Sequence, residues 1–259
     1  MQEKLYHGCQ NTFTLIKVEE DKDYSKLALE LCKKYQTDGF IAVKTNPLEM
    51  IFHNADGSRA PMCGNGIRCL ARFCFDENIT KEKEFDVLTL AGPLKVEITN
   101  TEPFLVKVKM GKAIFDAQAS SIDTDKSSFI DQELIVNKKK VVVSTIFMNT
   151  IHTVVFVEDF SEIEDLGEAL CNHEIYLKKT NVNFVKIIDS SNIEVRTFER
   201  GVGWTLACGT GASSAFVLGR LKKKLKHNVK VKFLGGEIYL SMNENEEVFM
   251  EGPAEKIER

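Results

Sequence analysis

Two cysteines, each at the start of a Cys-Gly-x-Gly motif, are the residues of this sequence best suited to chemistry. The motifs are Cys63–Gly66 and Cys208–Gly211, and apolar residues follow each at helical spacing. Each motif therefore predicts a helix that begins at its cysteine. A helix N-terminus presents N–H groups without intrahelical partners, and it lowers a thiol pKa to roughly 3.5–7.5 from about 8.5. One such site predicts a reactive thiol or an anion site, and two predict a symmetric function.

Two thiols on opposite faces of one carbon can invert a stereocentre. A thiolate on one face removes the α-proton while a thiol on the other face delivers a proton. Helix N-termini that converge on the adjacent carboxylate would stabilise the developing negative charge. This chemistry requires the halves that carry Cys63 and Cys208 to face each other across a cleft.

A structural role for these cysteines is the competing explanation. A single cysteine beside glycine at a helix start is usually a small buried residue. The recurrence in both halves favours function, because packing alone does not require the same motif twice. The other five cysteines are interpreted as core or incidental residues, and they are Cys9, Cys32, Cys69, Cys74 and Cys171.

The motif repeat is part of a longer internal duplication. The two cysteines are 145 residues apart, and the glycines of two matching hairpins, Gly92 and Gly235, are 143 residues apart. Each half is predicted to be a strand layer wrapped around one central helix. We expect an N-terminal domain at 1–112, completed by a last strand at 249–259, and a C-terminal domain at 113–248. A capping box at Ser161–Glu164 predicts another helix start.

The composition is that of an ordinary soluble globular protein. The chain has 259 residues, 43% of them hydrophobic and 28% charged, with a net charge of −4. This charge gives no general attraction to nucleic acid or acidic membranes. No transmembrane-length apolar run and no signal-peptide pattern is present, so we expect a cytoplasmic protein. No CxxC or Cys/His ligand spacing occurs, which predicts neither structural zinc nor another metal site.

Several longer motifs resemble those of the diaminopimelate epimerase family, and the similarity covers nearly the whole chain. The first runs from Asn54–Ser58 into Met62–Cys69. The others are Thr180–Val185, Glu199–Gly203, Ala207–Ala212 and Gly252–Ala254. The resemblance implies two pseudo-symmetric α/β domains, each a mostly antiparallel strand layer around a central helix, with the active site in the cleft between them.

The resemblance also implies roles for individual residues. Cys63 and Cys208 would be the acid/base pair of a reaction that uses no pyridoxal phosphate, no other cofactor and no metal. His152 and Glu199 would adjust the pKa values of the thiols. A small-molecule amino acid would be the partner, and a homodimer is possible. The expected substrate-binding residues are Asn11, Asn54, Gly64, Asn65, Thr150, Asn181, Glu199, Arg200, Gly209 and Thr210.

The sequence departs from the family pattern around this site. Gln10 and Thr12 replace a glycine and an aspartate, Thr150-Ile151 replaces Asn-Pro, and Trp204 replaces a glutamate. A site that loses a hydrogen-bonding group discriminates substrates differently. We therefore expect an amino-acid racemase or epimerase acting on an amino acid such as histidine. The alternative is diaminopimelate epimerase itself, and more remote alternatives are a small-molecule binding protein and a thiol redox protein.

Overall fold

The computed structural model describes residues 2–258. Its helices are α1 (Ser25–Tyr35), α2 (Gly64–Asp76), α3 (Glu164–Cys171) and α4 (Gly209–Leu221). Its strands, in chain order, are β1 (Lys4–Gly8), β2 (Asn11–Val18), β3 (Gly39–Thr45), β4 (Leu48–Asn54), β5 (Glu84–Thr89), β6 (Gly92–Thr101), β7 (Phe104–Gly111), β8 (Phe129–Val136), β9 (Lys139–Phe147), β10 (Ile151–Phe156), β11 (Asn181–Asp189), β12 (Asn192–Glu199), β13 (Gly203–Thr205), β14 (Asn228–Lys232), β15 (Glu237–Met242), β16 (Val248–Pro253) and β17 (Glu255–Ile257).

The chain divides into two compact units. Unit 1 comprises the chain up to Lys109 together with the segment from Glu251 onward, and unit 2 comprises Met110–Met250. Within unit 1 the last strand, β17, pairs antiparallel with β1, with Leu5 opposite Ile257. The duplicated domains predicted at 1–112 and 113–248 stay a prediction.

Unit 1 is built around α2. Strand β1 pairs antiparallel with β2, β2 parallel with β3, and β3 antiparallel with β4, while β5, β6 and β7 continue antiparallel to one another. Helix α1 covers the β2–β3 crossover through Ala28, Leu31 and Cys32, which pack on Ile16 and Phe40. Nearly every residue of α2 is buried, so this helix forms the centre of the strand layer.

Unit 2 is built around α4 in the same way. Strand β9 pairs antiparallel with β10, β10 parallel with β11, and β11 antiparallel with β12. Strand β12 pairs parallel with β14, and β14 antiparallel with β15. Helix α3 covers the β10–β11 crossover with Leu166 and Leu170. Helix α4 is buried from Ala212 to Gly219. Both units thus run through one succession of strands and helices with the same pairings, as the internal duplication predicts.

One predicted helix start was wrong. Helix α3 begins at Glu164 with Ile163 as its N-cap, and no side chain caps it. The Ser161 hydroxyl donates instead to Asp159 Oδ1, two residues back. Serine favours such local bonds in turns as readily as at helix caps, so the Ser-x-x-Glu pattern alone does not locate the cap.

Two further structural findings concern the whole described chain. Among residues 2–258, no helix is long and apolar enough to span a membrane. Over the same residues, none of the cysteines forms a disulfide bond, and no group of three or more His, Cys, Asp or Glu side chains is arranged to hold a metal ion.

Candidate active site

In unit 1, Cys63 is the N-cap of α2. Its backbone is extended (φ −135°, ψ 123°), and its carbonyl accepts the first intrahelical hydrogen bond from Ile67 N at 2.9 Å. Its Sγ accepts the Gly66 N–H at 3.5 Å, so the sulfur occupies the place where helix N–H groups lack intrahelical partners. The side chain is half-buried. These contacts suit a sulfur that carries negative charge.

Two amides and one buried cation surround this helix start. Asn11 Oδ1 accepts hydrogen bonds from the Cys63 thiol at 3.8 Å and from Asn65 Nδ2 at 3.3 Å. Arg68 is fully buried, and it donates to Asn65 Oδ1 at 3.0 Å and to the Gly64 carbonyl at 3.1 Å. Unit 1 therefore brings together four of the predicted site residues, namely Asn11, Cys63, Gly64 and Asn65, on a framework that Arg68 holds.

Asn54 is held by its own turn at the end of β4. Its Nδ2 donates to Ser58 Oγ at 3.0 Å, and its carbonyl accepts the Gly57 N–H at 2.9 Å. Gly57 has φ +83°, a conformation that favours glycine. Bonds from the Ser58 hydroxyl and N–H lower the pKa of Asp56 in the same turn. Asn54 thus stands on an ordered loop rather than on the α2 framework.

In unit 2, Cys208 is the N-cap of α4. Its backbone is again extended (φ −128°, ψ 107°), and its carbonyl accepts from Ala212 N at 2.9 Å. Its surroundings differ from those of Cys63, because the side chain is buried and lies 3.5 Å from Thr210 Oγ1. The thiol also forms a hydrogen bond with the Glu199 carboxylate. When the Glu199 carboxyl group is ionised it only accepts hydrogen bonds, so Cys208 is then the donor in this contact.

Glu199 is a carboxyl group held beside Cys208 at the end of β12. Burial of its carboxyl raises its pKa, while hydrogen bonds from Thr205 and Cys208 oppose the rise. The Thr205 hydroxyl donates to Glu199 Oε1 at 2.8 Å, which orients the carboxylate. A carboxylate with a raised pKa beside a thiol is the arrangement expected of an acid/base partner.

Arg200 is fixed by three neighbours. Its N–H donates to Asn181 Oδ1 at 2.8 Å, its Nη1 to the Lys178 carbonyl at 2.7 Å, and its Nη2 to Thr150 Oγ1 at 3.5 Å. The guanidinium is exposed, and its remaining N–H directions suit a carboxylate. Thr150, Asn181 and Arg200 are therefore brought together, and the threonine that replaces the family's asparagine still contacts the arginine.

His152 is neutral in this fold. It is fully buried on β10, and burial together with the positive charge of Arg200 lowers its pKa to about 3. The imidazole consequently carries no charge at physiological pH.

Trp204 packs into the core of unit 2. Its ring centroid is 5.8 Å from that of Phe184 and 5.5 Å from that of Phe198, edge to face in the second pair. A Cβ added to Gly167 of α3 would lie 2.8 Å from the indole, so the tryptophan also supports this helix. Its flat apolar surface is therefore used for packing.

Three residues of this site escaped sequence reasoning as functional candidates, namely Arg68, Asn183 and Thr205. Arg68 stands between the buried residues Ile67 and Cys69 of α2, and Asn183 stands between the buried residues Val182 and Phe184 of β11. A polar residue in such a pattern signals a buried hydrogen-bonded position, and this signal could have found both. Thr205 has no such signal, since its role comes from the β12–β13 pairing that places it opposite Thr197, near the end of β12 that carries Glu199.

The chain is similar in sequence to proteins of one enzyme family. A family model described as "Diaminopimelate epimerase" matches residues 4–115 and 132–257. A diaminopimelate epimerase of Alkaliphilus metalliredigens is 36% identical, over 98% of this chain and 94% of its own length. That of Caldanaerobacter subterraneus subsp. tengcongensis is also 36% identical, over 98% of this chain and 96% of its own. The chain belongs to the diaminopimelate epimerase family. It is accordingly an isomerase.

Solved structures share the fold at much lower identity. A probable proline racemase from Agrobacterium radiobacter has a TM-score of 0.70 at 12% identity, over 98% of this chain and 90% of its own. A hydroxyproline epimerase from Agrobacterium vitis has a TM-score of 0.67 at 10% identity, over 100% of this chain and 91% of its own. These likenesses confirm the predicted α/β fold class.

The preference for histidine over diaminopimelate needs correction. The similar curated relatives carry the name of the alternative, diaminopimelate epimerase. The physical reason is visible in unit 2, where Trp204 packs on Phe184 and Phe198. The indole that replaces the family's glutamate is partly buried and packs against the hydrophobic core, so this replacement does not by itself favour a ring-bearing substrate.

Proposed function

We propose that this enzyme is a diaminopimelate epimerase which inverts one α-carbon without a cofactor. The observation that carries the proposal is the cysteine N-cap that recurs at the start of the central helix of each unit, Cys63 on α2 and Cys208 on α4. The expected substrate is an amino acid with a second carboxylate, and the family match supports it.

In the proposed reaction, one cysteine acts as base and the other as acid on opposite faces of the same carbon. The thiolate takes the α-proton, and the electron pair left on carbon is delocalised into the neighbouring carboxylate. The N–H groups at the start of α2 and α4 would stabilise that charge, replacing the electron sink that a cofactor provides elsewhere. The opposite thiol then donates its proton to the carbon. Each turnover leaves the charge on the other sulfur, so the two stereoisomers are processed by opposite assignments.

The environments of the two cysteines support an initial assignment. Cys63 accepts a helix N–H and stands beside a framework held by the Arg68 cation. Cys208 donates a hydrogen bond to the ionised Glu199 carboxylate. In the resting enzyme Cys63 is therefore proposed as the thiolate and Cys208 as the thiol. For the other direction, Glu199 would take the Cys208 proton and release it to solvent, and the half-buried Cys63 would gain a proton from solvent, so that Cys208 becomes the base and Cys63 the acid.

Arg200 is proposed to hold the distal carboxylate. Its contacts with Asn181, Lys178 and Thr150 pre-orient the fork, and the two-pronged geometry of a guanidinium matches a carboxylate. Histidine has no such group. An Arg200 clamp would therefore favour diaminopimelate over an amino acid with one carboxylate.

The decisive experiment follows α-proton exchange by NMR in D₂O with LL-diaminopimelate, meso-diaminopimelate and L-histidine. We expect diaminopimelate to exceed histidine at least about a hundredfold in kcat/KM. Arg200→Lys should lower kcat/KM for diaminopimelate about ten- to a hundredfold and leave any histidine exchange unchanged. Arg220→Lys, in the last turn of α4, is the matched control.

Each alternative function has its own outcome in this experiment. Faster exchange with histidine would overturn the substrate assignment. Binding of diaminopimelate without exchange would identify a binding protein. Reversible dithiol oxidation of Cys63 and Cys208 without exchange would identify a thiol redox protein.

A further inference from the structure

A buried amide, Asn183, connects two residues of the candidate site in unit 2. Asn183 lies on β11 and is fully buried. Its Nδ2 donates to the Thr153 carbonyl at 3.1 Å and lies 3.2 Å from His152 Nδ1. Its Oδ1 accepts the Thr197 hydroxyl at 3.1 Å. Every polar atom of this amide is thus engaged.

These contacts determine which way the amide faces. The Thr153 carbonyl oxygen only accepts hydrogen bonds, so the amide atom next to it must be the NH₂ nitrogen. One hydrogen of Nδ2 goes to Thr153, and the other is directed at His152 Nδ1. The Thr197 hydroxyl donates to the remaining atom, Oδ1, and secures the same orientation.

The orientation of the amide in turn selects the imidazole tautomer. A nitrogen that accepts a hydrogen bond from Asn183 carries no proton, so the single proton of neutral His152 is on Nε2. That Nε2 is buried and has no hydrogen-bond partner within residues 2–258. A buried donor without a partner is costly, which indicates a group held for a ligand or for the reaction.

We propose that Asn183 is a positioning residue that holds His152 in the Nε2–H tautomer, so that His152 supplies a hydrogen-bond donor to an anionic group of the reaction and does not act as its base. The role in the reaction rests on the proposed function, whereas the tautomer does not. The low pKa of His152 agrees with a ring that stays neutral.

Asn183 also supports the helix that carries Cys208. A Cβ added to Gly211, in the first turn of α4, would collide with Asn183 Oδ1 and would lie 3.3 Å from Cys208 Sγ. Glycine at this position lets the amide lie against the helix. Asn183 consequently contacts both the His152 imidazole and the first turn of the helix that begins at Cys208.

The test is a long-range ¹H–¹⁵N correlation spectrum of the ¹⁵N-histidine-labelled protein, with His152 assigned by its loss in His152→Gln. The wild type should show the neutral Nε2–H ring between about pH 5.5 and pH 8.5. Asn183→Asp replaces a donor by an acceptor, and it should convert His152 to the Nδ1–H tautomer or to the charged ring. The matched control Thr197→Val removes only the bond to Oδ1 and should keep Nε2–H, because Thr153 still orients the amide.

Activity and stability separate positioning from a structural role. Asn183→Asp should lower kcat for diaminopimelate about ten- to a hundredfold with a smaller change in KM. If Asn183→Asp fails to fold, Asn183→Ala should show a mixture of tautomers in place of one. A wild-type ring with its proton on Nδ1, or an Nε2–H ring that persists in every folded Asn183 variant, would overturn the inference. Absence of epimerase activity in the wild type would instead overturn the proposed function, since the NMR result decides the tautomer independently.

Discussion

The two central helices of this protein begin alike and differ in what lies beneath them. In α2 the third residue, Gly66, faces Ile41 of β3, whereas in α4 the equivalent Gly211 faces Asn183 of β11. Ile41 is paired with Leu15 across the parallel strands β2 and β3, and Asn183 is paired with Val154 across the parallel strands β10 and β11. The first turn of α2 thus packs on an apolar strand surface, and that of α4 packs on an amide that is hydrogen-bonded to an imidazole.

The charge beside each cysteine differs in the same systematic way. Arg68 of α2 and Ser213 of α4 are equivalent by the 145-residue repeat, and both donate to the first carbonyl of their helix, Gly64 O and Gly209 O. The cation of unit 1 has been replaced by a neutral hydroxyl in unit 2, where the charged neighbour is Glu199. The helix that begins at Cys63 therefore has a buried cation bonded to its first turn, whereas the helix that begins at Cys208 has a carboxylate beside its thiol. In the proposed reaction, this asymmetry would distinguish the thiol that starts as the base from the thiol that starts as the acid.

The strongest test of this comparison removes each thiol in turn. Cys63→Ala and Cys208→Ala should each lower kcat about 10²- to 10⁴-fold, because every turnover needs one thiolate and one thiol. Epimerisation and α-proton exchange of each stereoisomer are the measurements. Cys69→Ala in α2 and Cys171→Ala in α3 are the controls and should retain activity. Near wild-type turnover in either of the first two variants would exclude the two-thiol mechanism.

The second test removes the carboxylate that distinguishes the surroundings of Cys208. Glu199→Gln should lower kcat about ten- to a hundredfold, since the proton acceptor beside Cys208 is lost. Burial raises the pKa of Glu199, so the folded protein favours the protonated carboxyl group. Glu199 therefore contributes to the stability of the fold below its unfolded pKa of about 4.3. This contribution is lost as the pH rises through the folded pKa. Glu199→Gln should therefore unfold at a higher temperature than wild type near pH 7.

That stability gain should disappear near pH 4, which thermal unfolding at both pH values can verify. Glu174→Gln changes an exposed residue of the same unit and should alter neither activity nor the pH dependence of unfolding. An unchanged kcat in Glu199→Gln would show that Cys208 does not need the carboxylate. A lower melting temperature of Glu199→Gln than of wild type at pH 7 would show that the ionised Glu199 carboxylate does not destabilise the fold.

The third test concerns the packing of the first turn of each central helix on the strands beneath it. Gly211→Ala should destabilise the protein by about 1–3 kcal/mol, because its Cβ collides with Asn183 Oδ1 and the amide is fully hydrogen-bonded. Gly66→Ala should change stability by less than about 1 kcal/mol, since its Cβ meets the movable ends of Met50 and Ile41 at 3.0 and 3.1 Å and alanine favours the helix. Urea unfolding measures both variants. Equal costs would contradict the contrast between the apolar packing of α2 and the polar packing of α4.

The smallest expected effect concerns Trp204 and its equivalent by the 145-residue repeat, Arg59. Trp204→Phe should cost about 1–2 kcal/mol of stability through lost packing on Phe184 and Phe198, with no change in the preference for diaminopimelate over histidine. Arg59 makes an exposed ion pair with Asp21, so Arg59→Ala should cost less than about 1 kcal/mol. A change in the substrate preference of Trp204→Phe would instead indicate that Trp204 contacts the substrate.

The sequence alone predicted the features that depend on local pattern. The apolar residues after Cys63 and Cys208 specify two buried helices, and glycine and cysteine at their starts specify the N-caps, because helix periodicity and capping involve neighbours in the chain. The near-constant spacing of the motifs revealed the duplication. Motif resemblance identified the family, which the comparisons confirm.

Only the tertiary structure decided the roles that depend on distant neighbours. Trp204 packs against the core because β13 pairs with β12 and places the indole against Phe198 and α3. Asn183 orients an imidazole because the parallel β10–β11 register sets Asn183 opposite Val154, one residue beyond Thr153 and two beyond His152. The contacts of Asn183 with His152 and Thr153 join residues 31 and 30 positions apart, and local sequence preferences cannot predict them. The N-cap position of each cysteine follows from the local sequence, whereas the difference between the surroundings of Cys63 and Cys208 is created by tertiary packing.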